Sequence, residues 1–300
     1  MTISAQERIA AVAAEPLAAT GRVRGWSGAI HSITDIWAHR ELLGLLVGRE
    51  LRARYKDSAL GFFWSLVRPL TMLAVYYVAI GKFLGGERSI PEFAIFVFTG
   101  LTVWGLFSEI VAGGTASIVG NAGLVKKIYL PREVFPLSVV GSALFNFAIQ
   151  LGILILATLA LGSPPALGTL QYAVVATVLV LVFGLGLSLI LSAWNVFLRD
   201  IQYLVEVVLM VAMWASPIVY SWALVDANVD SPLIKELYLA NPVTLAVLGY
   251  QRTFWTAGAD APYPDHLLLR LGIAIAVSLV LLVIGHRIFA RVEGNFAQEL

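Results

Sequence analysis

Six continuous apolar stretches dominate the chain, near 60–84, 93–119, 134–161, 170–194, 203–225 and 267–290, and polar residues collect between them. A helix of about 20 apolar residues crosses the hydrocarbon layer, and every stretch is at least that long. Lipid offers the backbone no hydrogen-bond partner, so a crossing segment must be a helix or part of a closed barrel. Barrel strands alternate apolar and polar positions, whereas these runs are unbroken. The pattern predicts an all-α membrane protein with six transmembrane helices.

The segments outside the runs differ in kind. Residues 1–26 are Ala-rich with scattered charges and hold no apolar core of signal-peptide type, so they read as a disordered cytosolic tail. Residues 27–57 repeat apolar positions at helical spacing, at Ile30, Ile33, Trp37, Leu42, Leu45 and Leu46, with His31, Asp35, Arg40 and Glu41 between them. This pattern suits an ordinary soluble helix or one lying in the cytosolic interface. Its direct continuation into a span favours the interface helix. The transmembrane domain then occupies 58–300. Connections at 85–92 and 162–169 are short and rich in Gly and Pro, as external turns are. The segment from Asp226 to His266 is too polar to cross, yet Leu237 to Tyr250 and Phe254-Trp255 are apolar. Long loops without structure are uncommon, so short helices that dip back at the outer face are expected there.

Composition narrows the function. Apolar residues make up 59% of the chain and charged residues 13%; a soluble domain is about half apolar and a quarter charged. With six spans, both termini and the loops near 120–133 and 195–202 share one side. That side carries 15 Lys/Arg and 11 Asp/Glu, the other 5 and 7, with Glu109 inside the second span. The Lys/Arg excess makes the first side cytosolic and both termini internal. The chain has no cysteine, and its histidines (His31, His39, His266 and His286) lie outside the spans or at their edges. Nucleophilic catalysis and metal chemistry therefore have no residue set. Ser188 in Gly184-Leu185-Gly186-Leu187-Ser188 lacks the glycine of a nucleophile elbow. Gly81-Lys82 is followed by Phe83 and has Tyr76 where a phosphate-binding loop needs its first glycine. Ion-coupled carriers keep several ionisable groups in their spans; here Arg68 and Glu109 stand there, with Glu206 near an entrance. What remains is a membrane permease whose energy comes from elsewhere.

Three cytosolic constellations sharpen this. One is the basic run Arg49, Arg52, Arg54 and Lys56 leading through Trp64 and Arg68-Pro69 to Leu70. A second runs Asn121-Ala122-Gly123-Leu124-Val125-Lys126-Lys127-Ile128-Tyr129-Leu130-Pro131-Arg132-Glu133-Val134-Phe135-Pro136. A short helix capped by Asn121 and stopped at Pro131 presents Leu124, Lys126, Lys127 and Ile128 as a knob for a partner's groove. The same loop also suits a purely topological, positive-inside role. The third is Trp194-Asn195-Val196-Phe197-Leu198-Arg199-Asp200-Ile201-Gln202.

With Ser216-Pro217-Ile218-Val219-Tyr220 and Asn241-Pro242-Val243-Thr244 following in order, the chain from about Arg40 onward resembles the membrane (permease) subunits of ABC-2-type exporters of lipid-linked polysaccharides. That family includes O-antigen and teichoic acid exporters. The resemblance implies a homodimer working with two copies of a separate ATPase in the cytoplasmic membrane. The permease chain binds no cofactor, ATP and Mg sit on the ATPase, and no nucleic acid takes part. It makes Asn121, Leu124, Lys126, Lys127, Ile128, Tyr129 and Arg132 the ATPase-coupling element, and roughly Ile30 to Tyr55 the interface helix. The outer re-entrant helices fall at 232–258. The cargo it implies is a glycan on an undecaprenyl diphosphate-type lipid, the alternative being a small lipid or drug.

Such a cargo gives the residues roles. Arg49, Arg52, Arg54, Lys56 and Arg68 suit contacts to the diphosphate at a cytosolic gate; Arg68 also suits snorkelling to head groups or pairing with Glu109. Glu109, beside Ser108, suits structural pairing with Arg68 or across the dimer. Sugar rings have flat apolar faces, so a pore passing them should be aromatic. Among 33 Phe, Trp and Tyr residues, Trp64, Tyr76, Tyr77, Phe145, Trp194, Trp214, Tyr220 and Trp222 are the channel candidates. Aromatic residues also form interfacial belts and pack helices.

Overall fold

The computed structural model describes residues 40–55, 63–127 and 130–300, with the side chains of Arg54, Tyr55, Phe63 to Leu66 and Arg68 left out. The tail at 1–26, the first part of the interface helix, Lys56, Ile128 and Tyr129 lie outside the described residues, as do the side chains of Arg54, Trp64 and Arg68. Among the described residues all regular structure is helical.

Helix α1 (Arg40–Tyr55) is followed by α2 (Phe63–Tyr76), which contains Pro69 and continues as a π-helix over Tyr77–Phe83. After a one-turn α3 (Gly86–Ser89) come α4 (Phe93–Gly120), the short α5 (Ala122–Lys127), α6 (Val134–Ala160) and α7 (Leu170–Phe197). Helices α4, α6, α7 and the later α12 (Leu267–Val292) are each long and apolar enough to cross a membrane. Between α7 and α12 lie α8 (Ile201–Trp214), α9 (Trp222–Asn228), α10 (Pro232–Leu239) and α11 (Pro242–Phe254); a short α13 (Phe296–Glu299) closes the series.

The apolar stretch at 203–225 is not one helix. It stops at Trp214, giving α8 14 residues, about 21 Å at 1.5 Å per residue and short of the roughly 30 Å hydrocarbon. Pro217 is the cause: it lacks an N–H and biases Ser216 away from helical backbone. The chain turns at Ser216-Pro217 and resumes as α9.

Helix α7 is the axis of the bundle, packed by α4 on one side, α12 on another and α11 across its first half. Close approach explains the glycines of 184–188. A side chain at Gly285 of α12 would stand 2.7 Å from the Gly186 carbonyl oxygen, so the two backbones touch there. Helix α11 is buried almost throughout, with Ala246 and Val247 fully covered. Asn241 caps it by accepting from the Val243 N–H at 3.0 Å, and Pro242 sits at its first position, where a missing N–H is harmless. The expected helices of the 226–266 segment are therefore present, and the second is the more deeply packed.

The two ends of the bundle hold different loops. At one end the turn at 85–92 meets 162–169 and 253–258. Trp255 Nε1 donates to the Pro91 carbonyl at 2.7 Å, Ala166 N–H donates to Thr253 at 2.9 Å, and Ser163 Oγ donates to Glu92. Gly85 and Gly162 turn the chain at φ 75° and 78°, a region open to glycine. At the other end α1, α5, and the ends of α7 and α12 converge on Phe296.

Candidate functional site

The coupling-loop residues lie at the Phe296 end. Helix α5 turns straight out of α4. Asn121 does not cap it with its side chain as expected; its amide donates back to the Ser117 carbonyl at 2.8 Å, and its Oδ1 accepts from Arg49 Nη2 of α1. Lys126 and Lys127 are exposed while Val125 is buried, so α5 offers its basic side outward and is seated by its apolar side. Leu124, Leu130 and Leu300 pack on the same core. Arg132 lies over the Phe296 ring at 5.7 Å. Phe296 is fully buried and meets Phe197 and Phe289 edge-on at 6.2 and 5.3 Å.

Polar contacts surround this core. Glu50 of α1 accepts from Ser138 at 2.7 Å and Ser142 at 3.0 Å, hydroxyls one turn apart on α6. Glu133, 1% exposed, has its Oε1 3.5 Å from His286 Nε2 of α12. Of the gate residues, Arg49 is thus tied to the coupling loop, and Arg52 donates to the Gly48 carbonyl at 3.0 Å within its own helix. Glu109 accepts from Asn146 of α6 at 2.7 Å, a partner the charge-based reading did not foresee.

The aromatic candidates divide. Tyr76 Oη donates to Met213 Sδ at 3.7 Å, and its ring meets Trp214 edge-on at 6.3 Å. Tyr220 Oη donates to the Trp214 carbonyl at 2.7 Å, Tyr238 Oη donates to Tyr220 Oη at 3.2 Å, and Trp222 stacks on Tyr238 at 5.9 Å. Four candidates from α2, α8 and α9 thereby form one connected series. Trp222 is buried in it, while Trp214 is half exposed. Phe145 and Trp194 are exposed elsewhere, and Tyr77 lines a separate cleft at the turn end.

Sequence reading missed Tyr238, Asn146, the Glu133–His286 contact and Phe296. For Tyr238 and Asn146 no local pattern exists, because their partners are distant in sequence. Phe296 carried a faint signal as a lone aromatic residue in a polar segment. In the first turn of α12, Arg270 makes a two-pronged pair to Glu236 of α10 at 2.7 and 2.8 Å. The bonds from Arg270 hold the Glu236 carboxyl below its usual range. Burial pushes the Tyr263 phenol up, opposed by Arg252 stacked over it at 4.8 Å.

The model of the ABC-2 type transporter family matches residues 41–255, which takes in α1, the coupling loop and α11. The chain belongs to the ABC-2 type transporter family. It is 32% identical over 271 residues to the O-antigen export system permease protein RfbA of Myxococcus xanthus, covering 90% of this chain and all of the relative. A Klebsiella pneumoniae protein of the same description is 26% identical over 87% of this chain and 95% of its own length. The capsule polysaccharide export inner-membrane protein CtrC of Neisseria meningitidis is 30% identical over 55% of this chain and 63% of its own length. This ABC-2 protein is an integral membrane protein, and its place in a transporter is that of the permease.

Proposed function

We propose that this chain is the permease subunit of an ATP-driven exporter that moves a lipid-linked polysaccharide across the cytoplasmic membrane. The observation that carries the reading is the end-to-end relation to an O-antigen export permease; a small lipid or drug as cargo is not favoured. Two copies of the chain form the pathway, and two copies of a separate ATPase bind ATP and Mg. Both termini are cytosolic. Helix α2 with its π-helical extension, and α8 with the turn at Ser216-Pro217, serve as spans one and five beside the four long helices. Helices α10 and α11 are the re-entrant pair, and the burial of α11 against α4 and α7 supports this.

In this reading α5 is the coupling helix. Its exposed lysines face the ATPase, and its buried Val125 hands motion to the core that joins α4, α6, α7 and α12. The link from Arg49 to Asn121 ties the same motion to α1. Arg49, Arg52, Arg54, Lys56 and Arg68 receive the lipid diphosphate, and the series Tyr76, Trp214, Tyr220, Tyr238 and Trp222 guides sugar rings toward the outer mouth. Depletion of the chain tests the whole reading: lipid-linked glycan should accumulate on the cytosolic leaflet, and its absence overturns the assignment.

A further inference from the structure

A cleft of about 530 Å³ lies beside the turn from α2 to α4, lined in part by Tyr77, Glu87, Arg88, Glu92, Phe93 and Leu161. Three independent features set it apart. Glu92 accepts from Ser163 through one carboxylate oxygen, while the other, Oε2, is buried with no hydrogen-bond partner. Buried acceptors are nearly always satisfied, so an orphan calls for an explanation. Glu92 also holds φ 49°, the left-handed region that a glutamate seldom adopts and that concentrates at ligand clamps. Finally, the wall carrying Tyr77 is a seven-residue π-helix, a rare form found mostly at functional sites. Phe93 holds this wall tightly: a side chain at Gly81 would come within 2.9 Å of its ring.

The chemistry of the wall selects a ligand class. Lys82 stands 5.3 Å over the Tyr77 ring and pairs with Glu87 at 2.8 Å, so that pair is self-neutralised. Arg88 and Glu92 then bring one charge of each sign. A cleft with no net charge favours neither an anion nor a cation. It offers a phenol ring, a guanidinium and, in its wall, Glu92, whose unpaired oxygen is buried and takes a ligand hydroxyl only when the wall gives way slightly. Sugars fit this set, since an apolar ring face rests on an aromatic side chain while hydroxyls donate to a carboxylate and accept from a guanidinium.

We propose that this cleft is an outer subsite for a neutral sugar unit, with Glu92 Oε2 as hydroxyl acceptor, Arg88 as donor and Tyr77 as the apolar platform. The proposal rests on the polysaccharide-export reading and names a place where the glycan is held as it leaves. Held there, the glycan would be hindered from sliding back.

The test uses the full-length permease in nanodiscs of phosphatidylglycerol and phosphatidylethanolamine, free of glycolipid. The probes are neutral hexasaccharides of glucose, mannose, galactose and rhamnose, read by saturation-transfer NMR. Wild type should transfer to the ring protons of at least one sugar. Glu92→Gln, which keeps the shape and the Ser163 contact, should weaken that binding at least 5-fold at unchanged membrane level. Tyr77→Ala should abolish it, and Tyr77→Trp should restore it. No transfer in wild type, equal binding in Glu92→Gln, or transfer confined to the glycerol head group each overturns the subsite. So does a fall in Glu92→Gln membrane level that accounts for the lost binding. Glycan accumulation on depletion is scored separately, so a failed subsite leaves the export reading standing.

Discussion

At the end of the 85–92 turn Phe96 meets Trp255 edge-on at 4.8 Å and Tyr250 stacks on Phe254 at 5.7 Å, inside a large core whose buried polar groups are mostly threonines and a glutamine. At the opposite end Phe135, Phe289 and Phe296 are as deeply buried, but their core is small and ringed by Glu50, Glu133, Arg132 and Arg49. Ring packing in a large core resists displacement, because any shift opens a void on all sides. A small core with a polar rim has alternative arrangements available at lower cost, since hydrogen bonds and ion pairs can be exchanged for water. The contrast assigns stiffness to the end at the 85–92 turn and compliance to the end at Phe296.

The comparison can be broken most directly by cutting both cores. Phe96→Ala should cost about 3–5 kcal/mol and sharply lower the melting temperature in detergent. Phe296→Ala removes an equally buried ring from a four-residue helix that can reseat, so its loss of stability should be clearly smaller. Equal losses would dissolve the distinction. Reversal of the exposed pair, Lys126→Glu with Lys127→Glu, should reduce co-purification of the ATPase more than 10-fold while leaving melting unchanged. Retained co-purification with full stimulated hydrolysis would remove α5 from the docking surface.

Smaller effects should come from the rim. Glu50→Ala leaves the Ser138 and Ser142 hydroxyls without their inter-helical acceptor and should cost about 1–3 kcal/mol, with Glu50→Gln recovering part of it. Arg68→Ala should lower export at equal membrane level, and Arg68→Lys should retain more of it; unchanged export in both removes Arg68 from the gate. The smallest effect belongs to Glu236, whose carboxyl the bonds from Arg270 hold below the ordinary glutamate range. A carboxyl whose folded-state value is depressed stabilises the fold above its ordinary range and loses that contribution as pH falls through the lowered one. Wild type and Glu236→Gln should therefore differ in melting by the same small shift from pH 6 to 8 and converge as pH falls through that lowered range.

What was legible in the sequence follows from the solvent. Lipid forces every crossing segment to satisfy its own backbone, so α4, α6, α7 and α12 were readable from run length, each to within a few residues. Turn chemistry at 85–92 and 162–169 was equally local. The helix stop before Pro217 was written in the sequence too, but its hydrophobic surroundings concealed it. The short helix at 122–127 was legible as well, because a polar, Pro-terminated segment between two apolar runs is local information.

Other features were decided only when the helices packed. Tyr76, Trp214, Tyr220 and Tyr238 stand 6 to 162 residues apart in sequence, and nothing local distinguishes them from belt aromatics such as exposed Trp194. Glu109 drew attention as a charge in a span, yet its contact with Asn146 depends on the register of α4 against α6. Glu92 stands in no local pattern that marks it. Its left-handed backbone and unpaired oxygen belong to the folded chain, where Ser163 bonds the other carboxylate oxygen. Sequence by itself determined which segments must lie in lipid, since that depends on each segment's own composition. The tertiary structure decided which polar groups find partners, because partnership depends on elements that the chain brings together from far apart.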